Sequence, residues 1–301
     1  MADQSDLNFT YTTIDKYFRL SIGENGDFSG AMYNGDYSLS LEEAQNVKHR
    51  FIVKNLNIQK GSKVLDMGCG WGPFLHYLSE NVGADSIGLT LSEGQVKACR
   101  RKGMNVYLKD CRIVKPEDYG TFDAIVSLGA FEHFCSYNNF LAGRQEDIYK
   151  QFFKTVSDLL PEKGRFFLQT MVFGRNMVDH KKVSIKADKN SDEYILALII
   201  KEFPGSWLPY GSEMLKRCSE KFFKIVSISS GRLDYIETIK QWRPRFRKFN
   251  FEKYLLMGKL LIRTLYDPDY RHHFQIFKRS PNKICFEREI MDHYRIVFEK
   301  I

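Results

Sequence analysis

The stretch "VLDMGCGWG", Val64 to Gly72, decides how the rest of the chain is read. It closes the β-branched and apolar run "SKVLDMG", which reads as a strand, and feeds "PFLHYLSENV", whose apolar spacing reads as a helix. Glycines 68, 70 and 72 therefore sit at a strand-to-helix turn, where a backbone without Cβ turns tightly and passes close to a ligand. The pattern is G-x-G-x-G and not the G-x-G-x-x-G of dinucleotide sites, and it carries an acidic residue, Asp66. A carboxylate at that spot suits a cationic or hydroxyl-rich ligand better than a pyrophosphate.

Outward from this loop, short apolar runs alternate with amphipathic ones. "SIGLTLS", "NVYLKD", "FDAIVSLGA" and "GRFFLQTMVF" read as strands, with "EGQVKACRRKG" and "EDIYKQFFKTVSDLL" as helices between them. "FFKIVSISSGRL" and "HYRIVFEK" complete the set as an antiparallel pair at one edge. The pattern predicts an α/β, Rossmann-like fold: a seven-stranded, mostly parallel sheet with helices on both faces. Three segments stand outside the alternation. Residues 1–55, with the helical "LSLEEAQNVKHRFIVKNL", are expected to form an N-terminal flap. Residues 175–215 and 237–280, with "SDEYILALIIKEF" and "FEKYLLMGKLLIRTLY" as helices, are expected as insertions walling a substrate pocket at the carboxyl ends of the strands. The reading is one elaborated domain over residues 1–301.

Composition narrows the function classes. With 43% hydrophobic and 27% charged residues among 301, disordered and collagen-like chains are excluded. The longest apolar run, "YILALII", falls far short of the roughly 20 residues a membrane span needs, and the start has no basic, apolar leader. Six cysteines without CxxC or Cys/His spacing point to reduced thiols, no metal site and a cytoplasmic protein. A net charge of +8 favours an acidic partner in general: nucleic acid, an anionic membrane surface or an acidic carrier protein. There is no aromatic-interleaved basic repeat and no "NPPY"-like tetrapeptide, so nucleic acid is not expected.

Five ordered motifs, "SLEEAQNVK", "VLDMGCGWG", "GLTLSEGQ", "IVSLGAFEHF" and "DYIETIKQW", together with "DHYRIVFEK", cover nearly the whole chain. In them the sequence resembles the class I S-adenosylmethionine (SAM) dependent methyltransferases, and more closely the cyclopropane-fatty-acid synthase family with its mycolic acid members. The resemblance implies an enzyme that transfers a methyl or methylene group from SAM to an unsaturated acyl lipid, and the basic charge then suits an acidic acyl carrier or an anionic membrane equally. It places Asp66, Gly68, Gly70 and Gly72 under the methionine part of SAM, Thr90 and Gln95 at the ribose, Asp110 and Cys111 at the adenine, and Ser29 in the closing flap. Thr90 and Cys111 also suit plain packing.

At the chemical centre the resemblance implies a bicarbonate ion held by a Glu, a His, a Tyr and a group near a Cys. Glu132 of "GAFEHF" and Tyr235 of "DYIETIKQW" match two of these. The Cys position is Gly30 of "SGAMY" and the His position is Gln169 of "FLQTM". Glutamine donates a hydrogen bond but does not take a proton as imidazole does. These two departures keep a small-molecule C- or N-methyltransferase as the alternative. His133 is expected to point away from the reacting group and to support its loop. His49, His76, His180 and His293 receive no role, and the adjacent His272 and His273 are read as helix surface. "FPGSWLPYG", Phe203 to Gly211, reads either as a lid or membrane-touching loop or as a packed connection.

Overall fold

Strand β1 (Lys63–Met67) runs through the middle of a seven-stranded sheet, and from Val64 on its residues are buried. Its neighbours are β2 (Asp85–Thr90) and then β3 (Asn105–Leu108) on one side, and β4 (Ala124–Leu128) and then β5 (Arg165–Phe173) on the other. β6 (Phe223–Ser230) and β7 (Met291–Lys300) close the sheet, giving the order β3-β2-β1-β4-β5-β7-β6. β7 is antiparallel to both neighbours, and every other pairing is parallel. The expected edge pair is therefore present, with β7 on its inner side. The computed structural model of the chain describes residues 20–22, 26–203, 205–266 and 280–301. Residues 1–19 and 23–25 of the expected flap, and 267–279 of the 237–280 segment with His272 and His273, lie outside them, as does Pro204 of "FPGSWLPYG".

The longer helices are α1 (Leu41–Asn55), α2 (Pro73–Asn81), α3 (Glu93–Arg101), α4 (Tyr137–Leu141), α5 (Gln145–Asp158), α6 (Asp192–Glu202), α7 (Gly211–Ser219), α8 (Arg232–Arg247), α9 (Phe251–Tyr266) and α10 (Pro281–Glu287). Local chemistry sets their starts. Ser40 and Glu43 of "SLEE" form a reciprocal capping box on α1, and Ser191 caps α6 through its side chain. Alternation along the buried strands divides the core. Leu65, Ile125 and Phe166 meet Phe152, Phe153 and Val156 of α5, while Val64, Val126 and Phe167 meet Ile52 of α1 and Phe74 and Leu78 of α2. A third cluster joins Ala31, Tyr33 and Leu41 to Leu196 of α6, Trp242 of α8 and Phe286 of α10. This last cluster packs the N-terminal segment against helices from three distant parts of the chain.

The strand order turns about β1 and β4, and in such sheets the crevice for a ligand opens at their carboxyl ends. Both the glycine loop after β1 and "GAFEHF" after β4 emerge there.

Candidate active site

A cavity of about 670 Å³ opens at those strand ends. Gly68 and Gly70 form its floor. Gly68 has φ 100°, and a Cβ there would come within 2.3 Å of Ala130 Cβ, so the loop can be this close to "GAFEHF" only as glycine. Gly72 is different. It is the residue before α2, does not line the cavity, and would put a Cβ 2.7 Å from Met104 Sδ. Its φ of 75° and its packing against the α3–β3 connection account for a glycine there, while its neighbours Trp71 and Pro73 line the cavity.

Asp66, at the end of β1, is buried, and its Oδ1 has no hydrogen-bond partner among the described residues. Burial, reinforced by the nearby charge of Asp27 and partly offset by Lys48, pushes its carboxyl up to about 7. A buried acceptor with nothing to accept from is what an ammonium group would satisfy. At the far wall the Thr90 hydroxyl donates to Gln95 Oε1 at 2.5 Å, tying the end of β2 to the start of α3. Asp110 caps the turn Cys111–Ile113, and its Oδ2 accepts from Arg112 Nη2 at 2.6 Å. Burial would raise the Asp110 carboxyl, but the bonds from Arg112 hold it below its ordinary value. Burial pushes the Cys111 thiol up to about 12, so it is a neutral wall and not a thiolate. All four residues line the cavity.

Its near wall comes from the N-terminal segment. Ser29 Oγ donates to Asp27 Oδ1 at 2.6 Å, and Lys48 of α1 donates to Asp27 Oδ2 at 2.8 Å and to Ser29 Oγ at 2.5 Å. Gln45 Nε2 donates to the Ser29 carbonyl at 2.9 Å, and His49 Nε2 lies 3.1 Å from Asp27 Oδ2. Burial alone would raise the Asp27 carboxyl, yet Lys48 and His49 hold it far below its usual range. The motif "SLEEAQNVKH" thus serves the cavity by fixing Asp27 and Ser29. Asp27 and Lys48 were not singled out by sequence, and His49, left without a role, belongs to this network.

Through a wall shared by Phe28, Ser29, Gly129, His133, Phe203 and Ser206, the cavity adjoins an inner chamber of about 90 Å³. Glu132, Gln169 and Tyr235 all line the chamber and not the larger cavity. Glu132 lies in the turn Phe131–His133 after β4. Its Oε1 accepts from the Met171 amide at 2.8 Å, and its Oε2 is buried without a partner. Burial pushes the Glu132 carboxyl up to about 7. Gln169 Nε2 donates to the Gly30 carbonyl at 3.1 Å, which leaves Oε1 unpartnered. The Tyr235 ring projects from α8, and burial, then the charge of Glu132, keeps its phenol protonated.

Two histidines stand apart from expectation. His133 does not turn away: it lines both spaces while Nδ1 lies 2.8 Å from Ser206 Oγ in "FPGSWLPYG". That loop is thereby tethered to the strand end. His293, given no role by sequence, stands on β7 and lines the inner chamber. No sequence signal marks it, because its neighbours Gly30 and Tyr235 arrive from elsewhere in the chain.

A sequence model of the family described as mycolic acid cyclopropane synthetase matches residues 1–269. The chain belongs to the mycolic acid cyclopropane synthetase family. It is accordingly a SAM-dependent methyltransferase. Cyclopropane mycolic acid synthase 3 of Mycobacterium tuberculosis is 29% identical over 236 residues, covering 77% of this chain and 78% of that one. Cyclopropane mycolic acid synthase 2 of Mycobacterium leprae is 29% identical over 286 residues, covering 91% and 90%. Among solved structures, the cyclopropane synthase MmaA2 of Mycobacterium tuberculosis superposes with a TM-score of 0.76 at 23% identity, covering 97% of this chain and 95% of that one. Coclaurine N-methyltransferase, solved with N-methylheliamine and S-adenosylhomocysteine, superposes at 0.69 and 16%, covering 97% and 82%; at that identity it shares the fold. The cavity fits SAM on its own evidence: an unpartnered buried carboxylate, a close glycine floor and hydroxyl and amide groups across from them.

Proposed function

We propose that this family member alkylates an unsaturated acyl lipid, leaving a methylene bridge or a methyl branch. The observation that supports it best is the pairing of the cofactor cavity with a small adjoining chamber whose wall is mainly apolar, including Phe173, Leu196, Ile199 and Met291, and which holds one carboxylate, Glu132. SAM, when bound, supplies an electrophilic methyl. Asp66 would take its ammonium group, with Gly68 and Gly70 beneath, Thr90 and Gln95 at the ribose, Asp110 and Cys111 at the adenine, and Ser29 over it. The protein's further task is to keep water out while positive charge develops on the lipid. Phe28, Phe203 and Tyr235 line that region, and aromatic rings near a developing cation stabilise it. Incubation with methyl-deuterated SAM and unsaturated phospholipid, followed by mass spectrometry of the acyl chains, tests this. A gain of one carbon carrying two deuteriums (a methylene bridge) or three (a methyl branch) supports it, and unlabelled chains overturn it.

A second reading, methylation of an amine, is favoured by one specific feature. Glu132 Oε2, Gln169 Oε1 and Asn282 Oδ1 are unpartnered acceptors in the chamber, and N–H groups would satisfy them. A panel of amines under the same conditions separates the two.

We infer further that the enzyme reaches its lipid at an anionic membrane through α9. Phe251, Leu255, Ile262 and Leu265 are exposed and share one face of this helix, with the exposed basic residues Arg243, Arg247, Lys248 and Lys259 on and beside it. Among the described residues no helix is long and apolar enough to cross a membrane.

A further inference from the structure

His293 is 2% exposed, and its ring centroid lies 4.8 Å from that of Tyr235. Strand register brings it to the chamber. It pairs with Met171, one position along the same face from the pair Gln169 and Arg295. Gly30 makes the space. Its backbone is not left-handed, so conformation does not require glycine there. A Cβ on Gly30 would come 2.5 Å from Tyr235 Cδ2 and 3.0 Å from His293 Cε1. The missing side chain at Gly30 and the imidazole at His293 are two halves of one arrangement.

The chamber is also unsuited to an anion. Four buried polar atoms in its wall lack partners among the described residues: Glu132 Oε2, Gln169 Oε1, Asn282 Oδ1 and His293 Nδ1. Three are acceptor oxygens, and among the described residues no lysine or arginine lines the space. The bicarbonate implied by the family resemblance would find donors in the Tyr235 hydroxyl and one His293 N–H but no cation to balance its charge, and it would face three unpartnered acceptor oxygens, so the residues present do not fit it.

We propose that His293 is the proton acceptor of this chamber and takes the place of a bound base. The proposal rests on the alkylation reading above, and applies to either acceptor. With an alkene, a C–H bond of the newly added methyl breaks, its electron pair closes the third ring bond onto the cationic carbon, and the proton goes to the imidazole. With an amine, the N–H proton of the methylated nitrogen goes there and the nitrogen keeps the pair. The imidazolium then loses its proton to bulk water. Burial, then the charges of Arg295 and Lys48, hold the free imidazole well below its ordinary range, so it rests in the neutral form that can take a proton, while the same surroundings make it a weaker base and return the proton readily. Glu132, His133 and Tyr235 are the other titratable groups lining the chamber.

The test uses the full chain and H293A, with H293Q as a second variant should the alanine fold poorly; unchanged binding of S-adenosylhomocysteine reports an intact cofactor cavity. We expect turnover of either variant to fall about 100-fold. Added imidazole should restore H293A, and pyrrole, a ring of the same size without a basic nitrogen, should not. Wild-type turnover should be the same in bicarbonate-free buffer. Variant turnover at the wild-type rate, equal rescue by pyrrole, or a rate that depends on bicarbonate would each overturn the proposal. Should the wild-type enzyme alkylate an amine and no lipid, the lipid reading falls while the same variants are read on the amine. Nitrogen-15 spectra of labelled histidine, with the His293 signals assigned by their loss in H293A, need no acceptor: a neutral ring at pH 7 is expected, and an imidazolium there refutes the assignment.

Discussion

Asp66 and Glu132 are both held near pH 7 by burial, and they make opposite demands on pH. The Glu132 carboxyl rises from an ordinary 4.5 to about 7 on folding. Its contribution to stability is therefore complete below 4.5 and drains away as pH rises through 7, a loss of about 3 kcal/mol. E132Q has no such group to ionise. Its melting temperature should exceed that of the wild type at pH 8, with the gap closing by pH 5, while methyl transfer is lost. On the proposed reading, Asp66 would serve binding in its ionised form. The affinity for S-adenosylhomocysteine should strengthen about tenfold from pH 6 to pH 8, because the ionised fraction of a group titrating near 7 changes by that factor. In D66N binding should be weaker at every pH and flat with pH, as calorimetry would show. Both carboxylates were singled out in sequence, Asp66 at the end of one strand and Glu132 in the turn after another, each strand announced by its pattern. His49 and His293 were not, because nothing near them in sequence names their partners, Asp27 and Tyr235.

At the scale of elements, α1 and α9 carry consequences that a single residue does not. Lys48 of α1 is fully buried against Asp27 and Ser29. In K48M the Asp27 carboxylate is left buried and poorly compensated, a cost of about 3–5 kcal/mol. Thermal unfolding should show the loss, and S-adenosylhomocysteine should bind more weakly because Ser29 is released from the cavity wall. For α9, the prediction concerns surface. The double variant L255D/I262D should keep the wild-type melting temperature and fail to sediment with phosphatidylglycerol vesicles that the wild type binds. Equal sedimentation, or binding to neutral vesicles alone, would remove the membrane reading. The helical periods of α1 and α9 were plain in sequence. Which face each one buries was plain only for α1, whose apolar and capping residues agree; on α9 the apolar face is the exposed one.

Across the whole molecule, the cofactor cavity is bounded by the N-terminal segment, the ends of β1, β2 and β4, and the loop after α6. A ligand that spans these parts stabilises all of them together. S-adenosylhomocysteine at 100 times its Kd should add about 2.7 kcal/mol, visible as a rise in melting temperature, and should slow amide exchange at residues 26–33 as well as in the glycine loop. The sequence by itself determined the α/β sheet, its seven strands, the glycine floor, Asp66 and Glu132, because local periodicity and turn chemistry encode them within a few residues. Only the tertiary structure decided that Gly72 packs against the α3–β3 connection, that Lys48 and His49 hold the cavity wall, and that His293 of β7 lines the chamber beside Gly30. The last depends on strand register, which brings Gly30 and His293, more than 200 positions apart, within contact, and the others on how a loop lies across the ends of its elements; no short pattern of residues records such a meeting.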